Sequence, residues 1–528
     1  MNTSPLTDEI LVSATAIAGL TFTPEERALM LKGVQERVDV YEQLRALPLS
    51  NEVPLALIFQ PDIRPMPQPV AVADVPRVPA APIQKLADQD DLAFASVAVL
   101  SQLIKARQVS SVELTDLYLD RLQRFDPQFT CVVTMTEELA RSQAKAADAE
   151  LAAGTCRGPL HGIPWGAKDL LATKGIRTTW GAAPYKEQIP ATNAAVVDRL
   201  EAAGAVLLAK LTVGELAWDD IWFGGQTKNP WNLQEGSSGS SAGSGAATAA
   251  GLVGFAIGTE TLGSIVSPAT RCRVSGLRPT FGRVSRYGAM ALSWSMDKIG
   301  PMARTVEDLG LIFQALHGSD SRDLTTVDRP FPWPPALDMS ALCIGYLEED
   351  FVSEDAKDLA YDDILKVLRG FGATLVPLKL PDYPLDALQT ILYAEGAAAF
   401  DELTRSNQDD LLVRQTEDAW PTSFRKARLI PAVEYIQANR VRTLLMQSMA
   451  ELMTNVDLYV GPSLVGPSLV ITNFTGQPAV VIPHGVDSEG SSASITFTGR
   501  LYDEATILQV AQAYQEATDF HRQHPTGF

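Results

Sequence analysis

Apolar residues recur at spacings of three and four near the start of the chain, which is typical of a helix with one apolar face. The helix is expected to begin at Thr23-Pro24-Glu25-Glu26, where Thr23 caps it, Pro24 takes its first position and Glu26 closes a capping box. The apolar stripe that follows consists of Leu31, Val34, Val38, Tyr41 and Leu44. The pattern predicts a small all-α N-terminal module over residues 1–60.

The rest of the chain divides into a linker and an α/β body. Seven prolines between Pro61 and Pro82 exclude a helix or a central strand, so we expect an extended linker over residues 61–90. Over residues 91–528, helical patterns such as SSVELTDLYLDRLQRF and AAVVDRLEAAG alternate with short apolar runs such as AVLLAKL and LYVGPSLV. This alternation predicts an α/β domain. The doubled GPSLVGPSLV at 461–470 is expected to be a loop beside a strand.

Composition and charge narrow the function classes. A hydrophobic content of 46% with 20% charged residues is that of a globular protein. The net charge of −20 repels phosphate backbones and anionic membranes, so no nucleic-acid partner is expected. No apolar run is long enough to span a membrane, and acidic residues stand where a secretory signal needs basic ones, which predicts a cytoplasmic protein. A homodimer is left open.

Cysteine usage and short motifs give no reason to expect a cofactor. Cys131, Cys156, Cys272 and Cys343 are scattered without the paired spacing of a zinc site or a disulfide framework. We therefore expect reduced cysteines, no bound metal and no cofactor.

The stretch GSSGSSAGSG at 236–245 admits three interpretations. A flexible spacer is disfavoured because the stretch leads directly into AATAAGLVGFAIGT, whose small apolar residues suit a buried helix and strand. A phosphate-binding loop is disfavoured because the stretch contains no lysine. Nucleophilic catalysis remains.

One form of nucleophilic catalysis is an α/β-hydrolase-like esterase. Gly239-Ser240-Ser241-Ala242-Gly243 matches the GxSxG nucleophile elbow, with Ser241 as the attacking group. An elbow follows a buried strand, whereas the polar NPWNLQEGSS precedes this one. The candidate histidine partners are His317, His484, His521 and His524. This alternative stays open.

The other form uses a lysine as the base. In GPLHGIPWGAKDLL, Lys168 follows an apolar run that would bury it, and in GTETLGSIVSPA, Ser264 follows a turn residue, Gly263. Lysine has a pKa of about 10.4 in water. Burial without a carboxylate disfavours the ammonium, so Lys168 would be neutral and able to accept a proton.

These segments, together with NPWN, GSSAGSGAA, GLRPTFGRVSR and GPMARTVEDLG, resemble the amidase signature family from about residue 91 to 520. The resemblance implies a mixed central β-sheet flanked by helices on both faces, and a Ser-Ser-Lys triad. Lys168 would be the base, Ser264 the nucleophile, and Ser240, 24 positions earlier, the bridging serine. It also implies a cis peptide between Gly239 and Ser240.

The family resemblance further implies an oxyanion hole made of backbone N–H groups. Leu262 stands where glycine is common, so the amide is kept while a side chain is added beside it. The donors would be those of Thr261, Leu262, Gly263 and Ser264.

Substrate preference is suggested by a departure from the family pattern. Val266 stands where the family often has an arginine that grips a substrate carboxylate, so an uncharged, fairly apolar substrate is expected, unless Arg271 or Arg273 compensates. Aromatic residues before NPWN suit either a pocket wall or core packing. The candidate substrate-binding residues are Trp218, Trp222, Phe223, Ser241, Val266 and Cys272.

The resemblance predicts a hydrolase of linear amide C–N bonds, with anilides and carbamates among the candidate small-molecule substrates. A glutamine-hydrolysing amidotransferase-type subunit is the alternative within the family, since the N-terminal module loosely resembles the small C subunit of tRNA-dependent amidotransferases. A catalytically silent scaffold is the alternative outside it.

Overall fold

The computed structural model describes residues 6–47, 49–54, 56–62, 88–335, 337–356, 359, 361–486 and 490–528. Most of the linker predicted over residues 61–90 lies outside the described residues. The predicted boundaries of the module, linker and body therefore stay predictions.

Helices and strands alternate through the described part of the chain. The helices are α1 (Asp8–Ile17), α2 (Pro24–Arg45), α3 (Gln89–Ala93), α4 (Val97–Lys105), α5 (Ser111–Phe129), α6 (Glu137–Ala152), α7 (Ala195–Ala202), α8 (Ala242–Ala249), α9 (Val266–Cys272), α10 (Val306–Leu316), α11 (Glu348–Phe351), α12 (Tyr361–Gly370), α13 (Leu385–Ala399), α14 (Asp401–Arg405), α15 (Trp420–Ala427), α16 (Ala432–Leu452), α17 (Ser468–Thr475) and α18 (Glu504–Thr518). The strands are β1 (Val132–Met135), β2 (Pro164–Lys168), β3 (Val206–Leu211), β4 (Ile221–Trp222), β5 (Gly225–Gln226), β6 (Lys228–Asn229), β7 (Asn232–Gly236), β8 (Phe255–Glu260), β9 (Ser275–Arg278), β10 (Lys298–Ala303), β11 (Cys343–Tyr346), β12 (Thr374–Pro377), β13 (Leu458–Pro462), β14 (Ala479–Val486) and β15 (Ser492–Gly499).

The predicted N-terminal helical module is present as α1 and α2. The Thr23 N–H donates to Glu26 Oε2 at 2.7 Å, and the Glu26 N–H donates to Thr23 Oγ1 at 3.2 Å. The expected capping box is thus confirmed, and α2 begins at Pro24 as predicted. In the predicted apolar stripe, Leu31, Val34 and Val38 are half-buried, whereas the side chains of Tyr41 and Leu44 lie outside the described part of the chain.

One large sheet runs through the body. Eleven strands of the described residues pair in the order β1-β3-β2-β8-β10-β9-β14-β15-β13-β11-β12. The strands β3, β2 and β8 are parallel at one end, β13, β11 and β12 are parallel at the other, and antiparallel pairs join the two groups. This mixed sheet with its helices confirms the predicted fold class.

The predicted apolar runs become central strands. AVLLAKL forms β3, LYVGPSLV begins with β13, and AATAAGLVGFAIGT becomes α8 and β8, whose residues are all buried. Continuous apolar runs are expected where a parallel strand is covered on both faces. The loop predicted for 461–470 is shorter than expected. Its first two residues belong to β13, which ends at Pro462, and its last three belong to α17, which begins at Ser468.

The sheet brings the candidate catalytic segments together. Because β2 and β8 are parallel neighbours, their carboxyl ends lie side by side, which places Lys168 near the residues that end β8. Helix α8 packs against both strands and against α9. Among the described helices, none combines the length and apolar character that a bilayer crossing requires.

Candidate active site

Lys168 is the last residue of β2, and its side chain is fully buried. Its Nζ atom lies 2.8 Å from Ser240 Oγ and 2.9 Å from Ser241 Oγ. Thr259 supplies two further oxygens, Oγ1 at 2.9 Å and the carbonyl oxygen at 3.3 Å. These are hydroxyl and carbonyl groups rather than carboxylates, so burial lowers the pKa of Lys168 well below its ordinary value.

A second buried lysine lies on the neighbouring strand in a different setting. The Nζ atom of Lys210 lies 3.2 Å from Asp169 Oδ1 and donates to the Thr178 hydroxyl and to the Leu171 carbonyl oxygen. Lys210 therefore has a carboxylate partner. Of these two lysines, Lys168 is the one that contacts the serine-rich turn.

The turn that carries Ser240 requires glycine at its tightest point. A Cβ atom added at Gly239 would lie 1.8 Å from the carbonyl oxygen of Asp219, so no other residue fits. The peptide bond between Gly239 and Ser240 is cis, as the family resemblance implies. Ser240 is 1% exposed, and its hydroxyl is directed to Lys168.

Ser241 is enclosed by polar contacts at the start of α8. Its hydroxyl donates to the Thr259 carbonyl oxygen at 3.1 Å and accepts from the Thr259 N–H at 3.2 Å. The side chain has no exposed surface, and no histidine of the described residues hydrogen-bonds to it. This enclosure disfavours the nucleophile-elbow interpretation.

Ser264 lies in the loop between β8 and α9. It is 8% exposed, and its carbonyl oxygen accepts from the Ser241 N–H at 3.3 Å. The described residues give the Ser264 hydroxyl no hydrogen-bond partner. The structure thus joins Ser240 to Lys168 but does not join Ser264 to Ser240 by a hydrogen bond.

The same loop presents a row of backbone donors. Within the described residues, the N–H groups of positions 261–264 donate no hydrogen bond, whereas those of Ile265 and Val266 donate to Glu260 Oε2 at 2.8 and 3.0 Å. Gly263 has a φ of +91°, a conformation that favours glycine. The four N–H groups of Thr261, Leu262, Gly263 and Ser264 are therefore available to an acceptor.

Glu260 holds the C-terminal end of this loop by accepting the hydrogen bonds of Ile265 and Val266, and the sequence analysis did not identify it. Its Oε1 atom accepts from Arg278 Nη1 and from Asn473 Nδ2, both at 2.8 Å. Burial raises the pKa of this carboxyl, but the charges of Arg278 and Lys298 outweigh that effect and lower the pKa to about 2. The sequence feature that could have identified Glu260 is its position directly before Thr261, the first of the four backbone donors.

Asp297, the residue directly before β10, also holds this loop, and the sequence analysis did not identify it. Its Oδ1 atom accepts from the Thr261 hydroxyl at 2.6 Å, and its Oδ2 atom accepts from the N–H groups of Leu292 and Ser293 at 2.8 and 3.0 Å. Burial raises the pKa of Asp297. The carboxylate thus couples residues 292–293 to the first residue of the loop.

The aromatic residues proposed to bind substrate pack mainly on other rings. Trp222 is buried with its ring centroid 4.8 Å from that of Phe223. The Trp218 ring lies 5.9 Å from that of Trp420, with the Arg414 guanidinium 4.9 Å from its centroid. A substrate-binding role for these three residues stays a prediction.

Val266 and Cys272 lie at the two ends of α9, and both side chains are buried. The Cys272 thiol donates to the Ser237 carbonyl oxygen at 3.6 Å, and burial raises its pKa. Contact of either residue with a substrate stays a prediction.

Comparison with known proteins identifies the family. A family model described as Amidase matches residues 113–469, more than half of the chain. A glutamyl-tRNA(Gln) amidotransferase subunit of Methylococcus capsulatus is 36% identical over 484 residues, which cover 82% of this chain and 99% of the relative. The native peptide amidase of Stenotrophomonas maltophilia has a TM-score of 0.74 at 30% identity, covering 82% of this chain and 98% of that one. An amidase family protein of Bacillus anthracis has a TM-score of 0.75 at 26% identity, covering 83% and 94%. The chain therefore belongs to the amidase signature family of amide-bond hydrolases.

Proposed function

We propose that the chain is a serine amidohydrolase that cleaves a C–N amide bond through an acyl-enzyme on Ser264, with Lys168 as base and Ser240 as proton bridge. The observation that carries this proposal is the buried Lys168 amine 2.8 Å from Ser240 Oγ. Because burial disfavours the ammonium and lowers the pKa of Lys168 well below its ordinary value, the amine is suited to accept a proton.

The reaction moves one proton along the two serines. Ser264 Oγ attacks the amide carbon, its proton passes to Ser240 Oγ, and the proton of Ser240 passes to Lys168 Nζ. The C–N bond then breaks, and the leaving amine takes the proton of Lys168 through Ser240, because Ser264 Oγ is now esterified. Water next gives a proton through Ser240 to Lys168 and attacks the ester carbon. The ester C–O bond breaks, Ser264 Oγ takes the proton back through Ser240, and the acid is released. The hydrogen bond between Ser264 and Ser240 is expected to close in the substrate complex, where catalytic hydrogen bonds tighten.

The loop at 261–264 would stabilise the negative charge on the carbonyl oxygen during attack. Its four N–H groups are backbone groups of a loop whose two ends Asp297 and Glu260 hold, so no side chain has to move. One donor of this kind is worth about 2.7–4 kcal/mol of barrier.

The substrate is proposed to be uncharged and fairly apolar. Val266 cannot form the bidentate pair that an arginine makes with a carboxylate. The two arginines that would compensate have other partners: Arg271 pairs with Glu235 at 3.1 Å, and the Arg273 guanidinium lies 4.2 Å from the Trp231 ring centroid. Aliphatic amides, anilides and carbamates fit this class.

A second candidate is glutamine hydrolysis as part of an amidotransferase assembly. The observation that favours it is the 36% identity to a glutamyl-tRNA(Gln) amidotransferase subunit over nearly all of that relative. Val266 weighs against it, because glutamine carries a carboxylate that this position does not neutralise.

A hydrolysis screen tests both candidates. Purified protein is assayed with small uncharged amides, anilides, carbamates and L-glutamine, with Ser264→Ala as the control. We expect kcat/KM for the best uncharged amide to exceed that for glutamine by about 100-fold or more. Glutamine as the best substrate would establish the second candidate instead. Absence of any hydrolysis, together with absence of fluorophosphonate labelling, would overturn both in favour of a silent scaffold.

A further inference from the structure

A cavity of about 1030 Å³ lies between the N-terminal segment and the helices α13, α14 and α15. Pockets for small ligands have volumes of about 300–1000 Å³, so this one is large enough for a bulky molecule. Five aromatic residues contribute to its wall: Trp180, Tyr185, Trp294, Phe400 and Tyr435.

Two of these aromatic residues belong to segments that hold the candidate catalytic groups. The Trp180 N–H donates to the carbonyl oxygen of Asp169, the residue directly after Lys168. Trp294 stands three positions before Asp297, whose carboxylate accepts from the Thr261 hydroxyl. The cavity wall therefore includes one residue bonded to the neighbour of the proposed base and one residue close in sequence to a carboxylate that holds the proposed oxyanion loop.

One wall comes from what we call the N-terminal arm, residues 49–54 and 56–62. Asn51 Nδ2 donates to the Ala291 carbonyl oxygen at 2.8 Å, and the Ala291 N–H donates to Asn51 Oδ1 at 2.7 Å. Further along the arm, the Phe59 ring centroid lies 3.5 Å from the guanidinium of Arg442, which donates to the hydroxyl and carbonyl oxygens of Ser295. Both contacts fix the arm to the loop at 291–295, on which Trp294 lies.

The N-terminal wall of the cavity is apolar and open. Leu47, at the end of the segment that follows α2, is 59% exposed, and Leu49 and Leu57 of the arm are 61% and 78% exposed. Covering such surface is favourable by about 25 cal/mol for each Å² removed from water. These leucines favour an apolar occupant.

The wall carries three carboxylates, those of Glu395, Asp401 and Glu402, and two arginines, so its charges do not favour an anionic occupant. Arg405 and Arg428 both form ion pairs with Asp401. The Glu395 carboxylate accepts hydrogen bonds from Ser295 and from the Tyr435 hydroxyl, so it too is satisfied within the protein.

We propose that this cavity binds the uncharged aryl-bearing part of the amide substrate, with the N-terminal arm as a specificity-determining wall. The inference rests on the proposed function, which it extends by naming where the apolar group lies. The arm precedes residues 113–469, which the family model matches.

A binding experiment tests the cavity without requiring turnover. In a Ser264→Ala background, calorimetry measures Kd for 4-phenylbutanamide with and without Ala398→Phe, which fills the cavity from an exposed position on α13. The control is Ala149→Phe, an exposed position on α6 that is not part of the cavity wall. We expect Ala398→Phe to raise Kd by about tenfold or more relative to Ala149→Phe. Equal Kd values in the two variants overturn the proposal.

Kinetics separate this proposal from the proposed function. With Ser264 present, we expect the ratio of kcat/KM for 4-phenylbutanamide to that for propanamide to fall by about tenfold in Ala398→Phe and in Asn51→Ala, relative to Ala149→Phe. If hydrolysis requires Ser264 but the ratio does not change, the cavity proposal fails and the proposed function stands. If no amide is hydrolysed, the proposed function fails, and the assignment of the cavity to the amide substrate fails with it, whatever Ala398→Phe does to binding.

Discussion

The amine nitrogen of Lys168 and the hydroxyl oxygen of Ser240 lie 2.8 Å apart in a site that solvent does not reach. A charged lysine is strongly disfavoured in such a position, and a neutral one has a lone pair to offer to a hydroxyl proton. The pair therefore has the chemistry of a base and its proton donor. The pH dependence of the activity and the effect of substituting Lys168 both follow from the burial of this pair.

We expect kcat/KM to rise with pH through the lowered pKa of Lys168 and then to level off, because only the neutral amine accepts the proton. Lys168→Met is expected to lower kcat by about 1000-fold or more and to remove this rise. A pH–rate profile of both proteins checks the prediction. Activity that first appears near pH 10, where an exposed lysine titrates, would contradict it.

The buried lysines Lys168 and Lys210 are expected to differ in how much they contribute to the free energy of unfolding. Lys210→Met leaves the Asp169 carboxylate buried without its cation, which typically costs about 3–5 kcal/mol in the free energy of unfolding. Lys168→Met breaks no ion pair and should cost clearly less. Urea unfolding of the two variants makes the comparison, and equal losses would show that Lys168 also compensates a buried charge.

Serines in the same stretch are expected to differ in reactivity. A fluorophosphonate probe should label the wild-type protein and Ser237→Ala but not Ser264→Ala, because Ser237 donates to the neighbouring Ser238 carbonyl oxygen and does not contact Lys168. Mass spectrometry of the labelled peptide identifies the modified residue. Labelling on Ser241 would instead support the esterase alternative.

Local features were predictable from sequence where a residue acts on its own neighbours. The capping box at Thr23 and Glu26 and the burial of Lys168 by the apolar run before it follow from short-range chemistry. Their signals are side-chain hydrogen bonds to the backbone three residues away and apolar runs. The requirement for glycine at 239 is different, because it comes from the carbonyl oxygen of Asp219 in another segment.

The support of the site was not predictable, because it depends on the order of strands in the sheet. Asp297 reaches Thr261 only because β10 pairs with β8, and Glu260 is balanced by Arg278 from β9. An apolar pattern shows that such strands are buried but not which of them are neighbours. The contact of Asn51 with Ala291 joins positions 240 residues apart, and no sequence pattern in either segment indicates it.

Glu260 gives the last prediction. Its pKa in the folded chain is lowered to about 2 by Arg278 and Lys298, although burial opposes the shift, whereas an unfolded chain has a glutamate pKa of about 4.3. A carboxyl with a lowered folded pKa stabilises the protein above its unfolded pKa, and this contribution is lost as the pH falls from about 5 towards 2. The difference corresponds to about 3 kcal/mol, since one pKa unit is worth about 1.4 kcal/mol.

We therefore expect Glu260→Gln to lower the free energy of unfolding by about this amount at pH 7 and to make its decrease in acid less steep. The matched control is Glu235→Gln, which removes an exposed ion pair with Arg271 and should cost less than about 1 kcal/mol. Urea titrations from pH 7 to pH 3 measure both variants. A Glu260→Gln protein as stable as Glu235→Gln at pH 7 would mean that the Glu260–Arg278 pair does not stabilise the loop at 261–264.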